Sequence, residues 1–154
     1  MATTWRVDLR AALVAILEDQ STATPTLLRK VHPNRPASFG ETPCAYVSNL
    51  PERITHDSQT RTRRSAPQVM LVDSYRDNQQ TGDLLDQLVD HLVERFDLPG
   101  NVQRIPNTII ELVSITDTDV EVTSRKADSM DNLILYRGVL LDFGDSTAIM
   151  EGRQ

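Results

Sequence analysis

APQVMLVDSY (66–75) followed closely by TGDLLDQLVDHLVERF (81–96) decides the fold class. In the first segment Val69 and Leu71 point to one face and Met70 and Val72 to the other, the pattern of a strand covered on both sides and hence central in a sheet. In the second, Leu84, Leu85, Leu88, Val89, Leu92, Val93 and Phe96 recur at three- and four-residue spacing. That period predicts an amphipathic helix over about 80–96, with Asp83, Asp86, Asp90 and Glu94 on its solvent side. Pro99 and Gly100 end it.

Upstream, CAYVSNL (44–50) alternates as a strand does. Pro51 interrupts it, and Glu52 to His56 continue it as an edge. DSQTRTRRS (57–65) is wholly polar and reads as an exposed hairpin tip or a mobile loop. Nearer the start, Trp5, Leu9, Leu13, Ile16 and Leu17 form the stripe of a helix from about Thr4 to Glu18, which Thr3 or Thr4 can cap. QSTATPT (20–26) stops that helix, a short helical turn is expected over 26–31, and a loop with Pro33, Pro36 and Gly40 follows, anchored by Phe39.

Downstream, NTIIELVSIT (107–116) is a third strand that Asp117 to Val122 extend. Residues 124–131 are a polar loop. LILYRGVLLDF (133–143) is the last strand, apolar on both faces and hence central, and from Gly144 the chain is expected to be a tail. Strands come in adjacent pairs between helices. This order gives an α+β fold: a mainly antiparallel sheet with two principal helices on one face and an extended polar hairpin loop. Residues 1–145 form one domain and 146–154 a C-terminal tail.

Leu, Ile, Val and Phe number 41 of 154 residues, enough for a core without staples. The longest apolar run, Ala11 to Leu17, is far short of the about 20 residues a bilayer-spanning helix needs. MATTWRVDLR has no basic segment leading into an apolar one, so no secretory signal is expected. Cys44 is the only cysteine, which excludes an intrachain disulfide and a cysteine-built zinc site. Residues 1–76 carry 10 Lys and Arg against 7 Asp and Glu, and residues 77–154 carry 6 against 15. A net charge of −6 disfavours tight DNA binding. The asymmetry suits a positive surface of one copy facing a negative surface of the next, or two simply solvated halves.

No catalytic pattern emerges. His32, His56 and His91 have no second His or Cys at ligand spacing, and the neighbours Asp90 and His91 diverge on their helix. Asp83, Asp86 and Asp90 share a helix side, but a carboxylate-bridged metal site needs matching carboxylates on another helix. GxSxG and phosphate-binding glycine loops are missing. Two features remain. Arg61, Arg63 and Arg64 sit in a polar loop without interleaved aromatics, which suits a simply solvated loop tip or ordering against an acidic partner, and not base stacking. Asp117, Asp119 and Glu121 alternate, so a strand puts them on one face as an acidic ladder. The ladder is either an ordinary exposed face or a wall past which DNA slides without sticking.

TTWRVDLRAALVAIL, the Pro-rich link, PCAYVSNL, the polar insertion DSQTRTRRS, APQVMLVDSY, TGDLLDQLVDHLVERF and LILYRGVLLDFGD, in that order, resemble the tail terminator proteins of long, non-contractile-tailed bacteriophages, the lambda-type minor tail proteins. The resemblance covers about residues 3–145 and rests on element order and texture. It implies a virion structural protein at the head-proximal end of the tail, assembled in the host cytoplasm. It also implies a ring, as a hexamer, whose partners are copies of itself, the major tail tube protein and the head–tail connector. DNA would pass through the ring without specific binding, and no membrane, cofactor, metal or catalytic residue is implied. The loop at Arg61, Arg63 and Arg64 would order on assembly, and Asp117, Asp119 and Glu121 would face the lumen. A neck head-completion or stopper protein is the alternative. A small metal-dependent hydrolase is a further one, but the basic track it needs for substrate is missing.

Overall fold

The computed structural model describes residues 4–19, 28–74, 78–120, 136–144 and 147–152. Their order is α1 (Trp5–Glu18), β1 (Lys30–His32), β2 (Cys44–Asn49), β3 (Glu52–His56), β4 (Thr60–Ser65), β5 (Gln68–Ser74), α2 (Asn78–Asp97), α3 (Pro99–Val102), β6 (Ser114–Val120), β7 (Tyr136–Asp142) and β8 (Thr147–Gly152). The fold is α+β. Five strands form a sheet in the order β1-β2-β5-β7-β6, antiparallel except for the β1–β2 pair. As its apolar-on-both-faces pattern requires, β5 lies inside, between β2 and β7.

A second, antiparallel sheet has the order β3-β4-β8. Each of its strands follows, or leads into, a central strand of the first sheet: β3 follows β2, β4 leads into β5, and β8 follows β7. The lateral order is preserved, so the small sheet is the continuation of three strands past a corner. Proline marks two of the crossings, Pro51 and Pro67, where a residue without an N–H cannot donate to a ladder. Their carbonyls tie the corner instead: Ala66 N and Ser65 Oγ donate to Pro51 O at 3.1 and 3.0 Å, and Phe143 N donates to Pro67 O at 3.0 Å. At the third crossing Gly144 takes φ +59°, and a Cβ there would stand 3.0 Å from Val113 Cγ2. Both facts favour glycine.

The two helices cover one face of the five-stranded sheet. Leu9, Leu13, Ile16 and Leu17 of α1 and Leu85, Leu88, Leu92 and Phe96 of α2 share one core with Ala45, Val47, Val69, Leu71, Val139 and Leu141 of the sheet. Phe96 meets Phe143 edge to face at 4.9 Å. Arg95 also turns inward. Its Nη1 donates to Leu17 O at 2.8 Å, one of the carbonyls that α1 leaves without a helical partner at its C-terminus. Its Nη2 lies 2.7 Å from His91 Nε2. Burial first, and then the Arg95 charge, lower the His91 pKa, which suits a neutral imidazole accepting that bond.

Strand alternation sends Cys44, Tyr46 and Val72 to the opposite face, where Phe39 and Tyr136 close a smaller cluster. Phe39 stacks on Tyr46 with ring centres 5.9 Å apart and meets Tyr136 edge-on at 5.1 Å. Phe39 thus anchors its loop. Burial first, then the Asp73 carboxylate, push the Cys44 thiol up to about 11.

Several local expectations are corrected. The turn expected over 26–31 gives way, in its described part, to the short strand β1, with Val31 buried beside β2. Polar residues 60–65 are strand β4 and not a loop. The strand expected from Asn107 begins only at Ser114. Asn107 has φ 60°, and Ile110 N donates to Val102 O at 2.8 Å, which holds residues 107–110 against α3; the chain reaches β7 at Val113, whose N donates to Asp142 O at 2.8 Å. Thr147–Gly152, expected as tail, pairs along the whole of β4. Thr4 occupies the N-cap of α1, but its hydroxyl donates to Asp8 Oδ2 at 2.9 Å and makes no cap bond to the backbone.

Candidate functional site

TRTRRS alternates, and once this segment is a strand the alternation divides its arginines. Arg61, Arg63 and Ser65 take one face and Thr62 and Arg64 the other. The three arginines therefore do not form one patch. Arg63 is structural. Its Nε donates to Glu52 Oε1 at 2.8 Å, and its guanidinium lies 5.2 Å from the ring centre of Trp5. Arg6 reaches the same carboxylate, Nη1 to Oε2 at 3.1 Å, and donates to Leu50 O. Burial alone would raise the Glu52 pKa, but the bonds and charges of Arg63 and Arg6 outweigh it and hold the carboxyl below the usual range. Trp5 is buried, and its Nε1 donates to Thr108 Oγ1 at 3.0 Å. The small sheet is thus fastened to α1 by an ion-pair and cation–π clasp.

The opposite face of the small sheet is different. Arg53 stands directly across from Arg64, and Thr55 across from Thr62. Both arginines are exposed. Arg53 was not anticipated as part of a site; its position in ERITH, two residues after Pro51, was the available signal. At the hairpin tip Asp57 closes the turn: Oδ1 accepts from Gln59 N at 2.8 Å and from Thr60 N at 2.7 Å, and Oδ2 from Thr60 Oγ1 at 2.7 Å. Those bonds lower its pKa.

The acidic elements lie elsewhere. Asp83, Asp86, Asp90 and Glu94 are exposed along one side of α2, as expected. Asp117 is exposed on β6, directly across from Val139 of β7, and Asp119 is paired across from Arg137. Glu121 lies outside the described residues. The ladder is not a bare wall, because Asp117 shares a cleft of about 240 Å³ with Asp83 and Asp86 of α2 and with Arg137. Three carboxylates against one guanidinium leave this cleft negative. Among the described residues no group of three or more His, Cys, Asp or Glu side chains is arranged to hold a metal ion. No helix among them is long and apolar enough to cross a membrane. Val113 and Ile115, at and just before the start of β6, are large exposed apolar residues on the edge of the five-stranded sheet.

Compared with known proteins, the chain matches no family model and no curated protein.

Proposed function

We propose that this chain is a structural subunit of a phage tail terminator: a ring that caps the tail tube, stops its polymerisation and presents a surface to the head connector. The observation that carries the reading is the polar extension of the three central strands. It has an arginine face, turned away from the core that anchors it, and such a feature is suited to contacts between subunits. The α+β fold, with helices confined to one sheet face, is consistent with the element order on which the resemblance rests. DNA passes through the ring in this reading. In the same reading strand β6, which carries Asp117, lies at the lumen or its rim, where like charge prevents the counterion-release binding that would trap a polyanion.

The test adds purified protein to polymerising tail tube subunits and follows tube length and tube ends by electron microscopy. Annular particles at one end of shortened tubes are expected. Tubes that grow unaltered, with rings or single subunits bound only to isolated connectors, would transfer the protein to the neck of the particle and overturn the terminator reading.

A further inference from the structure

We infer that the β1 edge of the five-stranded sheet holds the phosphate backbone of duplex DNA, without reading its sequence. The inference goes beyond the ring reading and does not rest on it. From Gln20 to Gly40 the chain has no Asp or Glu, yet it carries Arg29, Lys30 and Arg35. The fold brings a fourth cation to them. Among the described residues β1 pairs only with β2, so it is an edge strand. Strand alternation sends Val31 into the core and turns Lys30 and His32 to the face of Cys44 and Tyr46, their partners in register. Arg35 reaches the same face: burial raises the Tyr46 pKa, and the nearby Arg35 charge works against that rise. On the helix side, Arg10 of α1 donates from Nη1 to Pro33 O, just past the end of β1. Cations thus bracket one short strand from both faces, although the sequence shows no run of them.

Arg29, Lys30 and Arg35 are exposed. Among the described residues none of these three, and not Arg10, makes an ion pair. Arg6, one turn before Arg10, is committed to Glu52. Burial first, and then the Arg6 charge, lower the Arg10 pKa, so Arg10 has a cation beside it and not a carboxylate. On α1, Asp8 accepts from the Thr4 hydroxyl, and Glu41 is exposed where the acid-free stretch ends. The patch is a positive island on a chain of net charge −6, and such an island concentrates anions at one place. Its texture favours phosphates over a protein face. No large apolar side chain is exposed between 28 and 40, whereas a protein interface needs an apolar or aromatic anchor at its centre. A phosphate backbone needs none, because the cations bind by displacing its condensed counterions. Contacts of this kind position a duplex and carry no sequence information. β1 and β6 are opposite edges of the sheet, so this surface is not the acidic strand assigned to the lumen.

Fluorescence anisotropy of short labelled DNA duplexes, titrated with the full chain over a series of NaCl concentrations, tests this. Four phosphate contacts predict a slope of log affinity against log salt of roughly −3.6. Arg29→Gln with Lys30→Gln, both at exposed positions, should halve that slope to roughly −1.8 and weaken binding about tenfold at low salt. Arg53→Gln with Arg64→Gln, on the small sheet, should bind as wild type does. Circular dichroism verifies that both variants fold. Duplexes of different sequence should bind alike. A wild type that does not bind at low salt, a slope unchanged by the Arg29 and Lys30 substitutions, or a loss that follows Arg53 and Arg64 instead overturns the site. Strong preference for one duplex sequence overturns the backbone reading. Wild type without DNA binding, whose self-association in sedimentation velocity weakens on substitution of Arg29 and Lys30, would assign the edge to an acidic face of a second copy and also overturn it.

Discussion

The same three strands behave differently on the two sides of the corner. Before it, β2, β5 and β7 carry Ala45, Val47, Val69, Leu71, Val139 and Leu141 into a shared core under two helices. Beyond it, β3 and β4 carry Glu52, Arg61, Arg63 and Arg64, and their hold on the rest of the molecule runs through Glu52, Arg6 and Trp5. The first region is stabilised by apolar burial, which is non-directional and large. The second depends on pairing, charge, one aromatic ring and the packing of Ile149 of β8 against the core, the polar contacts each worth about 1 kcal/mol. A single backbone ladder can therefore hold a rigid half and a half whose stability responds to pH, salt and partners.

The strongest way to break the first region is Leu92→Ala, or Leu88→Ala, in the α2 stripe. We expect a loss of about 2–5 kcal/mol, read from denaturant midpoints, with both regions lost together. An unchanged midpoint would mean that α2 contributes little to the core. Trp5→Phe acts at the junction. It keeps the ring but removes the bond to Thr108 and weakens the Arg63 contact, at about 1–2 kcal/mol. Hydrogen exchange should then quicken in 52–65 more than in β5 and β7, and uniform quickening would contradict a separate clasp.

Glu52→Gln sharpens the comparison through pH. A carboxyl whose folded pKa is depressed contributes stability above its unfolded value of about 4.3, and that contribution is lost as pH falls through the lower folded value. Amides of 52–65 should therefore exchange faster, once corrected for intrinsic rates, as wild type is acidified below about pH 4.3. The variant should show little such change, and an equal response in both would clear Glu52 of the role. The smallest effect is expected at Arg64→Glu, within about 0.5 kcal/mol, because the side chain is exposed. A larger loss by thermal denaturation would show that Arg64 supports the subunit's own fold.

The core half was legible in the sequence because burial is periodic. Leu85, Leu88, Leu92 and Phe96 announce a helix, and Val69 to Val72 announce a central strand. The extension was not, because β4 (TRTRRS) has no apolar residue and β8 (TAIMEG) has only a short apolar run without the alternation of a strand. Thr60–Ser65 becomes a strand by pairing with Glu52–His56 on one side and with Thr147–Gly152, more than eighty residues away, on the other. The TRTRRS alternation was readable in principle, but a polar segment looks the same whether paired or solvated. Three arginines therefore read as one loop patch, when Arg63 is a structural ligand of Glu52 and the exposed pair is Arg53 with Arg64. The apolar stretch 107–112 misled in the opposite direction: TIIEL has strand composition, yet the Pro106–Asn107 turn and the bond to Val102 keep it out of the ladder, which the chain joins only from Val113, whose N donates to Asp142 O at 2.8 Å.

Cys44 has a practical consequence. A thiol with a pKa of about 11 in a fully buried position is almost entirely protonated at neutral pH and closed to alkylating reagents. As the chain's only sulfhydryl, it makes the folded protein its own clock. The rate at which a maleimide or aromatic disulfide labels it measures how often β2 parts from its neighbours. Labelling that slows when subunits assemble would report, without any engineered probe, that assembly tightens the central sheet as well as the rim.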